Sequence, residues 1–517
     1  MKNFKRLSCL IVMIFMISAF VLTGCGGLKD NPPTSAAVYS NGGMAVVKGE
    51  YLYYVNGYVN EDDLTDAKTE NVEGKVVKGA IYRTKLVNGT VQKDKDGFVK
   101  DASGKSLTER VVSKIVGFSN GGFYIIDDYI YYATPCMTYS SSSSKLQNDL
   151  VEFHRIKIDG TDDKLIYTTK ETSDDLQWNV TKIGGKVYIT SYTGKSLAVA
   201  NATDKKLLAT ITDVTSCAIP KTEEYIKNSY DDTATINRFI YYTRNVVDSD
   251  NQSSNYKGNV ICRMKVSTGN TEVLKYDTET KYSFVSAKNN ALYFTKSNTV
   301  LGDTSRLYKN KLNGDSFTSS TETELTVLNS SSYAILDYEY NIDPATGHKT
   351  TPVSDSINYV VALGSDGKLR RYTSIDGANE ITTEILYTAT TSTSILDIDG
   401  SNLYVAESNK IYVINAKSDL SQGEATRTLV SSEDYTYLVT NHHFFDITDN
   451  FLFTYRGFEL SGDANETNYY LSFIDGDYTV RFVGEFESDE LPAEPEQLEG
   501  YDPSNPDSDI EYIPWID

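Results

Sequence analysis

Short runs of alternating apolar and polar residues, separated by glycine-containing turns, recur along the chain. The first two examples are NGGMAVVKGEYLYYVNGY at 41–58 and GGFYIIDDYIYYAT at 121–134. Alternation with a period of two is the pattern of a β-strand, and a glycine between two such runs favours a tight turn. Both stretches therefore predict an apolar strand, a turn and a tyrosine-rich strand.

The tyrosine-rich strand occurs eight times. Its runs are YLYYVN, YIYYAT, KVYITS, FIYYTR, ALYFTK, NYVVAL, NLYVAE and FLFTYR, centred on Tyr53, Tyr131, Tyr188, Tyr241, Tyr293, Tyr359, Tyr404 and Phe453. From residue 53 to residue 453 the mean spacing over seven intervals is about 57 residues. This is in the range of four-stranded propeller blades with long loops, or slightly above it.

Two further kinds of run complete each unit. A basic pattern follows the tyrosine run as IYRTKLVNG at 81–89, FHRIKIDG at 153–160, ICRMKVSTG at 261–269 and LYKNKLNG at 307–314. Alternation places both basic side chains on one face of a half-buried strand, and the closing glycine supplies a positive φ for a hairpin. A fourth strand follows in runs such as KLIYTT and TEILYT.

Four strands in each of eight units predict an all-β protein, a β-propeller of four-stranded blades. Seven blades are the alternative count, because units four and six contain long insertions at 221–235 and 341–356. An irregular array of β-sandwiches and a pair of smaller β domains are the other folds that fit the pattern.

At these repeats the chain resembles a family of secreted bacterial propellers of unknown function, whose units combine a Tyr-Tyr/Phe strand with an IYRxxLDG-like strand. The repeats are also similar in pattern to the YWTD propellers of low-density lipoprotein receptors. The resemblance covers roughly residues 40–487 and implies a fold, not a catalytic site. The tryptophan of YWTD is absent from every unit, so receptor-like ligand binding is not implied.

The two ends of the chain differ from the repeats. Lys2, Lys5 and Arg6 precede an apolar run at 7–22, which predicts a secretory signal peptide over 1–24. The box Leu22-Thr23-Gly24-Cys25 resembles the lipobox of bacterial lipoproteins, which implies diacylglycerol on Cys25 and a tether over 25–40. The propeller is expected at 41–487, followed by an acidic, proline-rich tail at 488–517 that we expect to be disordered.

Composition and charge narrow the class of partner. The 517 residues include 40% hydrophobic side chains and 39 tyrosines, enough for a β-rich core. The formal charge of −22 becomes −25 once the three basic residues of the leader are removed, which argues against binding nucleic acid. Cys136, Cys217 and Cys262 remain in the mature chain besides Cys25, so a monomer has at least one free thiol and no disulfide framework.

Motifs that suggest catalysis have structural explanations. Gly117-Phe118-Ser119-Asn120-Gly121 matches the nucleophile elbow of serine hydrolases, but β patterns lie on both sides where a helix is needed. His154 occupies a strand position held by Tyr82, Cys262 and Tyr308 in sister repeats, which predicts packing. His348 lies in a loop insertion, and adjacent His442 and His443 would point to opposite faces of an extended chain. Nothing here predicts a zinc site.

Two acidic stretches have some features of calcium-binding loops. Asp94, Asp96 and Asp101 surround a turn glycine, but the bidentate glutamate of an EF-hand is missing. Asp397-Ile398-Asp399-Gly400 is shorter and predicts a hairpin turn. We therefore expect solvated turns, no cofactor beyond the lipid, and calcium only as the weaker reading.

These features predict a monomeric lipoprotein, anchored at the outer face of a bacterial cell membrane, whose propeller is a non-catalytic binding or scaffolding module. Its partner would be a protein or a glycan of the cell envelope, held by loops on one face. The recognition segments would be 57–80, 87–110, 137–150, 221–235 and 341–356, with Tyr139, Tyr225 and Tyr230 as contacts. The alternative is an enzyme acting on extracellular polysaccharide, with carboxylates at the propeller mouth.

Overall fold

The computed structural model describes much of the chain between residues 45 and 482. The described ranges are 45–56, 79–87, 107–117, 122–136, 150–170, 176–183, 185–219, 239–245, 258–276, 280–288, 291–298, 306–313, 316–326, 330, 332–338, 340–342, 349–352, 357–375, 380–390, 392–407, 410–429, 446–448, 451–459, 467–474 and 480–482. Regular secondary structure in these ranges consists of β-strands. They include no helix that is long and apolar enough to cross a membrane.

The described strands form eight four-stranded antiparallel sheets, in each of which the strands are hydrogen-bonded in chain order. Sheet 1 contains β1 (Ala45–Lys48), β2 (Tyr51–Asn56), β3 (Ala80–Lys85) and β4 (Thr108–Val112). Sheet 2 contains β5 (Phe123–Ile126), β6 (Tyr129–Pro135), β7 (Val151–Lys157) and β8 (Lys164–Thr168). Sheet 3 contains β9 (Gln177–Ile183), β10 (Lys186–Tyr192), β11 (Leu197–Asn201) and β12 (Lys206–Ile211). Sheet 4 contains β13 (Val214–Ala218), β14 (Phe239–Arg244), β15 (Val260–Lys265) and β16 (Thr271–Tyr276).

The second half of the chain repeats the arrangement with one addition. Sheet 5 contains β17 (Thr280–Lys288), β18 (Ala291–Asn298), β19 (Arg306–Asn313) and β20 (Ser316–Glu324). Sheet 6 contains β21 (Tyr333–Ile335), β24 (Ile357–Leu363), β25 (Lys368–Ile375) and β26 (Ile381–Thr388), and the separate hairpin of β22 (Tyr340–Ile342) and β23 (Lys349–Pro352) is inserted after β21. Sheet 7 contains β27 (Thr393–Asp399), β28 (Asn402–Glu407), β29 (Lys410–Asn415) and β30 (Arg427–Leu429). Sheet 8 contains β31 (Asp446–Thr448), β32 (Phe451–Glu459), β33 (Thr467–Ile474) and β34 (Val480–Phe482).

The predicted order of strands within each unit is confirmed, because all eight aromatic runs form the second strand of a sheet. Unit six needs one correction. The cross-strand partner of Arg371 is Val361, just as the partner of Arg83 is Tyr53. Val361 is fully buried and Tyr359 only partly so. Valine therefore takes the repeated aromatic position in this unit, two residues beyond the predicted tyrosine.

Two-residue turns join the first and second strands of several sheets. Gly49, Asp127 and Gly400 begin such turns with φ values of 61°, 53° and 56°. A positive φ at this position matches the right-handed twist of the flanking strands. The stretch 397–400 thus closes a hairpin, as predicted.

The third strands are more buried than a half-buried pattern predicts. Ile81 and Tyr82 are consecutive, point to opposite faces and are both buried. Arg83 is partly buried in the same strand. The reason is that packing against neighbouring sheets covers both faces of this strand. In sheet 1 the basic side chains of Arg83 and Lys85 keep partial exposure, whereas Lys309 and Arg371 are buried in the third strands of sheets 5 and 6.

The hydrophobic core consists of layers between consecutive sheets. One layer joins sheets 2 and 3, and comparable layers join sheets 3 and 4, 4 and 5, 5 and 6, and 6 and 7. In the first of these, the rings of Tyr124 and Trp178 meet edge to face at a centroid distance of 4.5 Å. The Tyr124 hydroxyl donates to the Trp178 carbonyl at 2.7 Å, which satisfies the polar atom of a buried aromatic side chain.

The basic residue of the third strand links each of several sheets to the next. The Nη1 atoms of Arg83, Arg155 and Arg371 each donate at 3.2 Å to a backbone carbonyl just beyond the third strand of the following sheet. The acceptors are Ile158, Ala202 and Ala416, which occupy equivalent positions in their repeats. In sheet 5 a lysine takes this role, because Lys309 Nζ donates to Asn358 Oδ1 of sheet 6 at 2.7 Å. The repeated basic pattern therefore encodes a contact between sheets.

A β-bulge in the fourth strand also recurs at the same place in several sheets. The fourth strands of sheets 1, 2, 3, 4 and 6 each carry a β-bulge at the same place, with one residue left unpaired opposite the third strand. The unpaired residues are Val111, Ile166, Leu208, Leu274 and Leu386. A bulge bends and twists the strand that contains it, so the outer edges of these sheets share one shape.

Contacts between strands of neighbouring sheets fit a radial arrangement with the first strands on the inside. First strands contact each other across neighbouring sheets at β13 and β17 and at β21 and β27, whereas the fourth strands β8 and β12 meet on the outside. The last sheet contacts the first through β31 with β1 and β33 with β2. Sheets that stack face to face, with their first strands converging, define a β-propeller-like fold.

Candidate functional site

The antiparallel strands give the assembly two distinct ends. Turns between first and second strands, and between third and fourth strands, lie at one end, which we call the hairpin end; it includes Gly49, Asp127 and Gly400. Connections between second and third strands, and between consecutive sheets, lie at the other, which we call the linker end; it includes Cys136 and Thr193. Any loop that extends a turn must leave from one of these two ends.

The five predicted recognition segments do not share one face, so that part of the prediction is wrong. Segments 57–80 and 137–150 follow second strands and leave from the linker end. Segments 87–110, 221–235 and 341–356 leave from the hairpin end. The sequence pattern places strands correctly but does not reveal which end of a strand a loop extends until strand order is known.

The predicted site residues themselves lie outside the described residues. They are Cys25, Tyr139, Tyr225, Tyr230, Asp94, Asp96 and Asp101. The described strands fix where their segments attach. The segment with Tyr225 and Tyr230 follows the inner strand β13 at the hairpin end, and the segment with Tyr139 follows β6 at the linker end. These two segments are thus attached at opposite ends.

A hydrogen bond and an ion pair tie the hairpin end of the first three sheets together. Lys48, at the end of the inner strand β1, is buried and donates through Nζ to the Asp127 carbonyl in the first turn of sheet 2. Lys182 of sheet 3 pairs with the Asp127 carboxylate at 2.7 Å. Burial lowers the pKa of Lys48, and the charges of Asp128 and Asp127 oppose that shift. The turn of sheet 2 is therefore held from both sides.

A network of hydroxyl and amide groups performs the same role at the linker end of sheets 4 and 5. The side chain of Asn259 accepts from the Tyr282 backbone N–H at 2.9 Å and donates to the Tyr282 carbonyl at 2.8 Å. Ser216 Oγ lies 2.6 Å from Thr243 Oγ1 and accepts from the Phe284 backbone N–H at 2.9 Å. These bonds attach the inner strand β17 to sheet 4.

The described side chains that the inner strands expose are mostly polar. They are Gln177, Thr215, Lys281, Ser283, Val285 and Ser394. Thr215 and Val285 are the extra residues of β-bulges in β13 and β17, which explains why they turn outwards. The enzyme hypothesis predicts carboxylates and aromatic side chains here. It stays a prediction, because the side chains of the acidic residues of β27 and β31 lie outside the described set.

His154 is buried in sheet 2, and its ring stacks on Tyr132 at a centroid distance of 5.2 Å. Tyr82 and Tyr308 stack at 6.1 Å and 6.3 Å on the equivalent residues of their own sheets. The predicted packing role is confirmed. The prediction missed a second role, since both ring nitrogens also face carboxylates.

The two carboxylates belong to Glu152 and Asp163. Nε2 of His154 lies 3.2 Å from Glu152 Oε2, and Nδ1 lies 3.1 Å from Asp163 Oδ1. Burial alone would lower the pKa of His154, but the hydrogen bonds with Asp163 and Glu152 outweigh it and raise that pKa. Glu152 could have been found from the sequence, because it lies two residues before His154 on the same strand face. Asp163 lies beyond a turn, so its contact depends on the fold.

The remaining candidates for chemistry have structural roles where they are described. Cys136, Cys217 and Cys262 are buried, and none of the three forms a disulfide in the part of the chain that the structure describes. Burial raises the pKa of the Cys217 thiol, so it is a poor nucleophile. Within the described ranges no group of three His, Cys, Asp or Glu side chains is arranged to hold a metal ion.

The serine-elbow motif begins at Gly117, and its next four residues lie outside the described set. The Val116 and Gly117 backbone N–H groups donate to the Gly79 carbonyl at 2.7 Å and 3.0 Å, which fixes the connection from sheet 1 to sheet 2. Residues 123–126 then form strand β5, where a nucleophile elbow requires a helix.

The fold defines the class of this chain as an all-β, β-propeller-like protein. No protein-family model matches it, and no curated protein matches its sequence. Among solved structures it is similar to a prolyl endopeptidase, with a TM-score of 0.41 and 12% identity over 70% of this chain and 48% of the other. The chain thus spans about half the length of that endopeptidase.

Two other solved structures show comparable similarity. An uncharacterised protein of Listeria monocytogenes EGD-e matches with a TM-score of 0.36 and 11% identity over 70% of this chain and 92% of its own. A puromycin hydrolase matches with a TM-score of 0.33 and 10% identity over 85% of this chain and 62% of its own. Similarity at this level carries no information about activity.

Proposed function

We propose that this protein is a bacterial lipoprotein of the outer face of the cell membrane, whose eight sheets close into an eight-bladed propeller that binds a protein or glycan partner. Diacylglycerol on Cys25 would anchor it, and the acyl chains would supply roughly 0.8 kcal/mol per buried CH₂. The leader and lipobox of the sequence support the anchor. Contact between the last and first sheets supports the closed ring.

One observation supports binding in particular. Two long insertions extend first-strand turns, between β13 and β14 in sheet 4 and between β21 and β24 in sheet 6. Both therefore start from inner strands at the hairpin end, on either side of sheet 5. The equivalent turns of sheets 1, 2 and 7 have two residues. Long loops on a rigid scaffold are where proteins place recognition, so we propose this end as the binding surface.

The rigidity of the scaffold favours binding over a structural role alone. Arg83, Arg155 and Arg371 fasten consecutive sheets, and the Lys48–Asp127–Lys182 contacts fix the hairpin end. A surface that is ordered before its partner arrives loses less conformational entropy on binding. Tyr225 and Tyr230 belong to one of the two insertions and are the proposed contacts, whereas Tyr139 would serve a separate surface.

Replacing residues 220–237 by Asn-Gly tests the proposal. The control replaces residues 137–149, at the linker end, by a short Gly-Ser linker. Both variants and the parent protein are crosslinked on intact cells and screened against cell-wall glycans by thermal shift. A ligand at 100 times its Kd adds about 2.7 kcal/mol of stability. We expect a crosslinked partner or a saturable shift that the first replacement removes and the control keeps. Loss in neither variant would contradict the assignment of the hairpin end.

The anchor is tested separately with Cys25→Ser. We expect the variant to leave the membrane fraction and to lose incorporation of labelled fatty acid. A variant that stays membrane-bound would show that something other than Cys25 holds the protein there.

A further inference from the structure

His154 has a hydrogen-bonding environment that only its charged form satisfies. An ionised carboxylate accepts hydrogen bonds and cannot donate them, and both ring nitrogens of His154 face such groups at 3.1 Å and 3.2 Å. A neutral imidazole has a single N–H and can satisfy one of the two. The imidazolium donates to both.

His154 is the centre of a row of charged side chains, Lys114, Glu152, His154 and Asp163. Tyr132 donates through its hydroxyl to Asp163 Oδ1 at 2.9 Å. The Nζ atom of Lys114 lies 3.9 Å from Glu152 Oε2, and the Cys136 side chain also hydrogen-bonds with Glu152. With His154 protonated, two carboxylates face two cations, so the row is neutral. Without that proton it carries one uncompensated negative charge.

The row lies at the junction of the first two sheets. Phe153, next to His154 in β7, packs into the layer shared with sheet 3, so His154 faces the opposite way, toward sheet 1. Lys114 comes from the connection between sheets 1 and 2. The His154 side chain is 5% exposed, whereas Asp163 and Lys114 are 33% and 42% exposed. Protons can therefore reach the row from solvent at its two ends.

We propose that His154 is a proton-dependent latch: the imidazolium bridges Glu152 of β7 and Asp163 of the turn before β8, and through the contact of Glu152 with Lys114 it holds sheet 2 to the connection from sheet 1. Loss of the proton loosens this hold. The base of segment 137–150 is attached at the same place, since the Cys136 backbone N–H donates to the Leu150 carbonyl at 2.8 Å. The latch is a property of the folded chain and does not require the proposed binding function.

The direction of the pH dependence follows from the shifted groups. The pKa of His154 is raised from 6.5, so its contribution to stability is complete below about pH 6.5 and is lost as the pH rises through the folded value. The pKa of Glu152 is lowered from 4.5, chiefly by its hydrogen bond with His154. Burial raises the pKa of Asp163, but the hydrogen bond with His154 and the other favourable contacts outweigh burial and lower it from 3.8. Their contribution is lost as the pH falls through their folded values. The junction is therefore tightest in mild acid, from about pH 4.5 to 6.5.

The sister repeats supply a matched variant. Tyrosine occupies the position of His154 in sheets 1 and 5, and in sheet 5 the Tyr308 hydroxyl donates to Glu324 Oε2 at 3.1 Å. His154→Tyr therefore keeps a stacked ring and one hydrogen bond to a carboxylate while removing titration near neutral pH. His154→Gln is a second variant that keeps polarity without the ring.

The first test is NMR of the mature protein with labelled histidine. Four histidine signals are expected, and the one that disappears in His154→Tyr or His154→Gln belongs to His154. We expect it to titrate above pH 6.5, and Glu152→Gln and Asp163→Asn each to lower that midpoint. Titration at or below 6.5, or a midpoint that neither variant moves, would overturn the latch.

The second test measures the urea midpoint of unfolding between pH 5.5 and 9. The parent midpoint should fall as the pH rises through the measured pKa of His154, and the midpoint of His154→Tyr should be flat over that interval. An equal fall in both proteins would assign the pH dependence elsewhere. Should His154→Tyr not fold, His154→Gln serves in the same comparison.

Discussion

The inter-sheet arginines offer the clearest energetic prediction, and Arg371 has a matched neighbour. Arg371 is buried, and its Nη1 donates to the Ala416 and Ser418 carbonyls of sheet 7 at 3.2 Å and 2.8 Å. Its Nε and Nη2 also pair with Glu384 in the same sheet, at 3.1 Å and 2.6 Å. Arg370, the next residue, pairs with the exposed Asp366 at 2.5 Å.

Arg371→Gln removes both inter-sheet hydrogen bonds, because glutamine is too short to reach the carbonyls. Hydrogen bonds from a charged donor contribute about 1.5–3 kcal/mol, and the buried Ala416 carbonyl would lose a partner. We therefore expect a loss of about 3 kcal/mol in the free energy of unfolding. Arg370→Gln breaks a surface ion pair and should cost at most about 1 kcal/mol.

A third variant separates the two roles of Arg371. Glu384 is 38% exposed, so Glu384→Gln should also cost no more than about 1 kcal/mol while leaving the inter-sheet bonds intact. The assay is equilibrium unfolding in urea of the three variants under identical conditions. A loss for Arg371→Gln that lies within 1 kcal/mol of the Arg370→Gln value would refute the role of the arginine between sheets.

Three other outcomes can be tested with the same preparation. Thr190 is buried, and its hydroxyl has no hydrogen-bond partner among the described groups. Thr190→Val should therefore leave the free energy of unfolding in urea unchanged or raise it, and a loss above about 1 kcal/mol would reveal a hydrogen bond there. Gly269→Ala and Gly185→Ala share the strain of a φ near +75°, but a Cβ on Gly269 would lie 2.7 Å from Ala209 Cβ and one on Gly185 meets open space. The first should thus lower the melting temperature more than the second, and equal effects would count against the contact of sheets 3 and 4. The three buried cysteines should resist a thiol reagent in the native state and all react, without reductant, after denaturation; fewer than three labels would mean that a disulfide had formed.

The strands were predictable because their information is local. Alternation, turn glycines and the repeated aromatic residue at positions such as Tyr53 and Tyr131 depend on neighbours within one sheet. Those predictions were confirmed, apart from the displaced aromatic position in sheet 6, where Val361 fills the buried position and Tyr359 lies two residues earlier on the same strand.

Relations between sheets were not predictable in the same way. The basic pattern of the third strands predicts the polar face of a strand. In the structure, however, Arg155 donates to the Ala202 carbonyl, 47 residues further along the chain. The carboxylate partner of His154 across the turn, Asp163, likewise depends on how the strands are registered. The division of loops between two ends follows only from strand order, which is why the single recognition face was wrong.

The contact between the first and last sheets underlies the whole account, and it can be measured directly. Spin labels at Glu50→Cys, in the first turn of sheet 1, and Thr448→Cys, at the end of β31, report the distance across this junction. Because β1 contacts β31, a closed ring predicts a distance between the two spin labels below about 25 Å. This limit is the sum of the roughly 10 Å between packed sheets and the length of the two label side chains. Eight sheets in an open stack at that spacing would hold the labels about 70 Å apart, and that result would contradict the propeller.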